Sequence, residues 1–248
     1  MARRLLASEG LPVVGEVAEM AKRNEHETLI AYLLNERGRT FAEELRIPMQ
    51  RGSPQALFQL LVASLLFSAR IRFESALKAA RALFDHGLTS VEKMLAASWE
   101  ERVRVLNRSG YARYDESTSR MLGETSQLLL EKYGGDLRRL RAQARRDPKE
   151  ERRLLKECKG IGDVGVDIFF REVQGAWEEL FPFIDARAKE GADQLGLPTS
   201  ADPLRALVSD EDLPRLVVAL VRTRLRGDAD EMRARALGKG GMQAGPST

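Results

Sequence analysis

The sequence predicts an all-α protein, and three observations carry that expectation. Apolar residues recur every three to four positions along most of the chain, strand-like alternation is almost absent, and helix start and stop residues punctuate it at short intervals. Residues 13–36 read as a helix with Val14, Val17, Met20, Ile30, Leu33 and Leu34 along one stripe, stopped by Gly38. A charged stretch follows, to which no functional role attaches. Ser53-Pro54 then opens a helix over 54–69, with a hydroxyl N-cap and a proline in the first turn. Leu57, Phe58, Leu60, Leu61, Val62, Leu65, Leu66 and Phe67 run nearly all the way round it, so it belongs at the centre of a helical domain.

That helix gives way to the charges Arg70 and Arg72. A helix over Phe73–His86 stops at Gly87, and Ser90 caps a short one. Ser98-Trp99-Glu100-Glu101 reads as a capping box leading to Asn107 and Gly110. Further helices are expected over 114–133 and 137–144, then from Asp147-Pro148 to Cys158. Asp163 is expected to cap Val164–Gln174, and Asp185 to cap Ala186–Leu195. Two C-terminal helices fall at 212–226 and 228–237, and 238–248 reads as a disordered tail.

Composition limits what such a protein can do. The chain has 248 residues, 40 basic against 37 acidic side chains, 43% hydrophobic residues, one cysteine and two histidines. With Cys158 as the one thiol, neither a disulfide nor an all-cysteine zinc or iron–sulfur site can form within the chain. His26 and His86 are far apart in sequence and read as solvated surface residues. No apolar run approaches the roughly 18–20 residues that span a bilayer, and Met1-Ala-Arg-Arg-Leu-Leu carries no secretory segment, so a cytoplasmic location without membrane contact is expected. A formal charge of +3 and a pI near 9.1 permit a nucleic-acid partner without demanding one.

The most informative segment runs from Leu154 to Phe169 and centres on Lys159-Gly160-Ile161-Gly162. One helix ends, a Gly-Ile-Gly turn follows, and a second helix begins at once. Glycines at 160 and 162 let backbone approach a ligand without Cβ interference, and the amides at the start of the second helix suit a phosphate oxygen. Ile161 would turn inward to lock the two helices, and Gly165 would let them pack closely. The pattern resembles a helix-hairpin-helix, a sequence-independent grip on the DNA backbone; a tight corner without a ligand is the plain alternative. Asp163 places a negative charge beside the expected phosphate and would weaken the grip.

Three other segments extend the resemblance: Pro54–Arg70, Ser109-Gly110-Tyr111-Ala112-Arg113-Tyr114, and Phe181-Pro182-Phe183-Ile184-Asp185-Ala186-Arg187. In this order the set resembles the helix-hairpin-helix DNA glycosylases that include endonuclease III and the adenine glycosylases, over residues 51–197. The resemblance implies a two-lobed fold. A six-helix barrel over 51–180 would hold the hairpin at 150–175, and residues 1–50 with 181–237 would form the second lobe.

The resemblance also implies double-stranded DNA as partner, a nucleoid association, and base-excision repair by flipping a damaged or mismatched base into the cleft between lobes. Its catalytic aspartate corresponds to Asp185, where a carboxylate would stabilise the oxocarbenium-like charge of glycosidic cleavage; the same Asp185 also reads simply as an N-cap. The lysine of bifunctional members corresponds to Val164, so hydrolysis without Schiff-base strand cleavage is expected. No Cys follows Cys158, so the iron–sulfur cluster of many relatives has no ligands, and the one cofactor the resemblance leaves room for is a monovalent cation at the hairpin.

The DNA-binding set is thus Lys159, Gly160, Ile161, Gly162, Val164 and Gly165, with Arg70 as a wedge into the gap left by the flipped base and Tyr111 and Arg113 at a second backbone contact. Arg70 reads equally as an exposed charge, and Gly110 as a helix C-cap with Tyr111 packed on the barrel. The basic run Arg138 to Lys159 could supply phosphate contacts or be a solvated helix face. A non-catalytic reader of DNA lesions is the alternative function, and a helical interaction module without nucleic acid a third.

Overall fold

A computed structural model of the protein describes residues 14–238, and every regular element among them is helical. The N-terminal residues 1–13 and all of the expected tail except Gly238 lie outside the described residues. Among the described residues no helix is long and apolar enough to cross a membrane.

The described chain opens with α1 (Val14–Arg37), whose expected stripe packs only along its second half. Leu29, Ile30 and Leu33 are buried, but Val17 and Met20 are 50% and 61% exposed. The short α2 (Phe41–Glu44) follows, in the stretch that the sequence left without a role. Its start is a complete capping box. The Glu43 amide donates to Thr40 Oγ1 at 3.2 Å, and the Thr40 amide donates to Glu43 Oε2 at 2.9 Å.

After a 3-10 turn at Met49–Arg51 comes α3 (Pro54–Ser68), with Ala56 through Leu66 all buried. Ser53 caps it, accepting the Ala56 amide at 3.2 Å. Around α3 pack α4 (Phe73–Asp85), α8 (Leu137–Gln143) and α10 (Asp163–Val173), while α5 (Val91–Ala96), α6 (Trp99–Arg108) and α7 (Asp115–Tyr133) close the far side. The buried Arg102 ties those last three together. Its guanidinium donates to the carbonyls of Met94, Ala97 and Ser119, which ends the short α5 without exposing its C-terminal carbonyls to apolar surroundings. Ser98 caps α6 by accepting the Glu101 amide, and the Glu101 carboxylate itself reaches His86 Nε2 at 2.8 Å.

The second core is built by Leu29, Ile30 and Leu33 of α1 with α11 (Ala186–Gln194), α12 (Ala201–Arg205), α13 (Leu213–Arg226) and α14 (Ala229–Ala236). α11 packs closely on α13 at Gly191. Arg37 fastens α1 to this lobe through a bidentate pair with Asp228 at 2.7 and 2.5 Å and a bond to Thr223.

The lobe boundary differs from the one expected at residue 50. Ala42, Leu45 and Ile47 belong to the first core, so the crossover lies between α1 and α2. The physical reason is Glu172 at the end of α10, whose buried carboxylate accepts the amides of Phe41 and Ala42 and draws α2 onto the first lobe. Burial pushes this carboxyl above the ordinary carboxylate range, while Arg171 and the two amides pull it down. From the second lobe, Arg222 reaches back to Glu44 at 2.5 Å and lies over the Phe41 ring at 4.5 Å.

Gly191 gives this packing a sharp test. A Cβ there would sit 2.2 Å from the Leu220 carbonyl oxygen, a backbone atom that cannot step aside. Gly191→Ala is expected to lower stability by about 2 kcal/mol through forced separation of the two helices, measured by urea unfolding.

Candidate nucleic-acid interface

The hairpin begins with α9 (Pro148–Leu155), three residues shorter than expected because Glu157 and Cys158 close tight turns onto Leu154 and Leu155. Gly160 is left-handed, with φ +85°, and a Cβ there would lie 2.6 Å from Met121 Sδ and 3.2 Å from Leu65 Cδ1. Conformation and crowding both demand glycine. Ile161 is buried, its amide bonded to the Cys158 carbonyl at 3.0 Å, and so locks the two helices as expected. Gly165 leaves room for it: a Cβ there would touch Ile161 Cδ1 at 3.4 Å.

Gly162 is different. No atom lies within 4 Å of where its Cβ would be, and it is exposed. It is also the N-cap of α10, so Asp163 is the first helical residue rather than the cap. The first amide of α10 with a helical partner is that of Val166, which donates to the Gly162 carbonyl at 3.0 Å. The amides of Gly162, Asp163 and Val164 meet no acceptor among the described residues. Free donors beside open space at a helix N-terminus suit an anion.

Asp163 does not stand over those amides. Its carboxylate folds back on α9, 2.9 and 3.0 Å from Lys156 Nζ and 3.7 Å from Arg152. The Lys156 hydrogen bond holds it below the usual carboxylate range, so its charge is countered locally. Lys156 is engaged by the same contact. Lys159 is exposed, and its carbonyl accepts the Thr125 hydroxyl at 2.9 Å. Val164, in the position that corresponds to the lyase lysine, is exposed and aliphatic.

The last turn of α3 gathers the other predicted segments around this hairpin. Leu65 and Ser68 touch Gly160 and Gly165, and Leu66 offers its carbonyl to the Tyr111 hydroxyl at 3.4 Å. The loop holding Arg70 continues directly from the same turn. Tyr111 is fully buried, so its ring supports the turn from inside and does not face a ligand. Gly110, with φ +89° and nothing within 4 Å, and Arg113, exposed over the Tyr114 ring at 5.3 Å, remain on the surface.

Between the lobes lies a cleft of about 460 Å³. Its floor is a cluster of Phe41, Phe67 and Phe73 with ring centroids 4.7 to 5.4 Å apart, and Arg70, Arg72, Arg171 and Arg187 stand in its walls. Asp185 is not among the residues lining it. As expected it caps α11, with Oδ1 accepting the Ala188 amide at 2.9 Å. Its Oδ2 accepts from Arg171 Nη1, and Asp185 is 5% exposed. Each oxygen of the acid therefore accepts one hydrogen bond, and Arg171 is its buried counter-ion. Sequence reasoning missed Arg171 because it sits within an ordinary helical run, where nothing marks it as facing Asp185.

Half of the basic run is engaged in ion pairs. Arg138 binds Asp136, Arg141 binds Glu179, Arg152 binds Asp167, and Arg153 bridges Glu150 and Glu157. These pairs make that half a charge-balanced helix face rather than a row of phosphate contacts. Cys158 is buried and its thiol is pushed up to about 12, mainly by burial, so it is inert. Among the described residues no group of three or more His, Cys, Asp or Glu side chains is placed to hold a metal ion.

No protein-family model and no curated protein matches the chain. Among solved structures it is similar to a chain in the structure of a trapped endonuclease III–DNA covalent intermediate, an estranged-adenine complex. The identity is 19% and the TM-score 0.44, over 67% of this chain and 73% of that one.

The hairpin is anchored from below by a carboxyl pair. Glu151 of α9 is fully buried, and Glu179, just after α10, is held in a fork by Arg141 at 2.6 and 2.5 Å. Burial, then the neighbouring Glu179, pushes Glu151 up to about 8, whereas the Arg141 fork, against the opposing effect of burial, keeps Glu179 low. At neutral pH this favours the protonated form of Glu151. Between about pH 4.5 and about pH 8 the folded protein holds a proton that the unfolded chain releases, so this contribution is complete at the lower pH and lost as pH rises. Glu151→Gln keeps the neutral form at every pH. Wild type is expected to lose roughly 4 kcal/mol relative to Glu151→Gln between those limits, measured by denaturant unfolding across pH.

Proposed function

We propose that the protein binds duplex DNA, gripping the sugar–phosphate backbone at the Gly160–Val164 turn and taking a nucleotide into the cleft between its lobes. The observation that carries this reading is the set of unengaged amides at Gly162, Asp163 and Val164, which open onto empty space at the N-terminus of an eleven-residue helix. Asp163 leans away to Lys156, so the turn itself presents donors rather than a like charge. The amides recognise phosphate and carry no base information, so binding is sequence-independent and weakens steeply with salt.

The activity fitted best by Asp185 as it stands is recognition rather than excision. To polarise a water or stabilise a sugar cation, the carboxylate must face the cleft with an oxygen free. Here Arg171 occupies one oxygen and the α11 amide the other. Withdrawing Arg171 would leave an unpaired buried charge, at a cost of about 3–5 kcal/mol. With Val164 in the lyase position, Schiff-base chemistry has no amine there. Monofunctional glycosidic hydrolysis at Asp185 is the second reading; it is favoured by the position of Asp185 at the start of α11, two residues before Arg187 in the cleft wall.

Two experiments test these statements. Asp163→Pro deletes one amide at a helix position that tolerates proline, while Asp163→Ser deletes only the charge. Asp163→Pro is expected to bind duplex DNA about tenfold more weakly than Asp163→Ser in a fluorescence titration, and equal affinities would remove the amide grip. With a panel of lesion-bearing duplexes, neither wild type nor Asp185→Asn is expected to release a base. Release by wild type alone would establish the hydrolase.

A further inference from the structure

The cleft walls carry an unusual charge balance. Arg70, Arg72 and Arg187 make no ion pair or hydrogen bond through their side chains among the described residues, and no carboxylate lines the cavity they share. Behind them Arg171 is buried, with Nη1 the one guanidinium nitrogen that has an acceptor and Nε without any. Three guanidinium groups without an acceptor of their own around one cavity offer their donors to an anion that enters it. Beneath them the half-buried rings of Phe67 and Phe73 offer an aromatic surface, stacked at 5.1 Å with an interplanar angle of 21°.

A flipped base is neutral and would use the ring surface, while its two flanking phosphodiesters would bring the guanidinium groups one negative charge each. A phosphodiester brings one negative charge, whereas a phosphomonoester brings nearly two at neutral pH and three oxygens matched to guanidinium forks. We infer that the interlobe cleft is a site for a terminal nucleotide bearing a phosphomonoester, as found at a nick or gap, with the base on the phenyl rings and the phosphate among Arg70, Arg72 and Arg187. The inference rests on the proposed grip of duplex DNA at the hairpin and specifies what the cleft adds to it: recognition of a strand end.

The test measures affinity for one duplex sequence in four forms: intact, nicked with a 5′-phosphate, nicked with a 3′-phosphate, and nicked with hydroxyl groups on both sides. Wild type is expected to bind one of the phosphorylated nicks about tenfold more tightly than the hydroxyl nick, and which one reports the strand polarity in the cleft. In the Arg72→Gln/Arg187→Gln double variant, which changes exposed side chains only, that ratio is expected to fall to about one. Asp163→Pro should weaken all four forms and keep the ratio. A wild-type ratio near one, with intact DNA still bound, overturns the strand-end inference and leaves the hairpin reading standing. A ratio unchanged in the double variant overturns it equally, because the phosphate would then be felt elsewhere. Failure of wild type to bind any of the four forms removes the hairpin reading and this inference together.

Discussion

The structure depends on one constraint: α3 is apolar on every side and must be covered everywhere, including at its ends. Covering its flanks recruits α4, α8 and α10. Covering its last turn recruits three loops at once, because Leu65 packs beside Gly160, Ser68 beside Gly165, and the Leu66 carbonyl receives Tyr111. The turn that presents free amides, the Gly110 turn and the loop of Arg70 are therefore neighbours for a hydrophobic reason. Burial of one helix end positions a polar surface.

The second organising contact lies at the end of α10. Adjacent residues there serve different lobes: Arg171 holds Asp185 at the start of α11, and Glu172 holds the start of α2. Each is a buried ionisable group with a partner on another element, an arrangement that does little for net stability but penalises any displaced alternative. The cleft above is thereby kept open and lined with cations, while the acid that resemblance singles out is kept neutralised behind it. Phe41 shares in both contacts, lying under Arg171 at 5.5 Å and Arg222 at 4.5 Å, so the aromatic floor and the lobe junction are one packed unit.

Local sequence rules worked where their causes are local. Ser53, Asp147 and Asp185 cap the helices expected of them, and Ile161 turns inward between its glycines. They failed where a second element decides. Asp163 looks like an N-cap, but Lys156 and Arg152 on the preceding helix take its carboxylate and Gly162 becomes the cap. Val17 and Met20 continue the stripe of α1, yet the residues that cover α1 reach only its second half. Tyr111 beside a surface glycine left a ligand contact and interior packing both open, and the first core claimed it.

The amino-acid sequence by itself determined the helical class, the central place of α3 and the Gly-Ile-Gly turn, because periodicity, caps and glycine tolerance act over a few neighbouring residues. Only the tertiary structure decided the state of Asp185, the openness of the amides at Gly162 and the gathering of Arg70, Arg72 and Arg187 around phenyl rings from α2, α3 and α4. Those outcomes hinge on which side chains meet across separate helices. Arg171 and Asp185 are fourteen positions apart, and nothing in either neighbourhood announces that one will cancel the other.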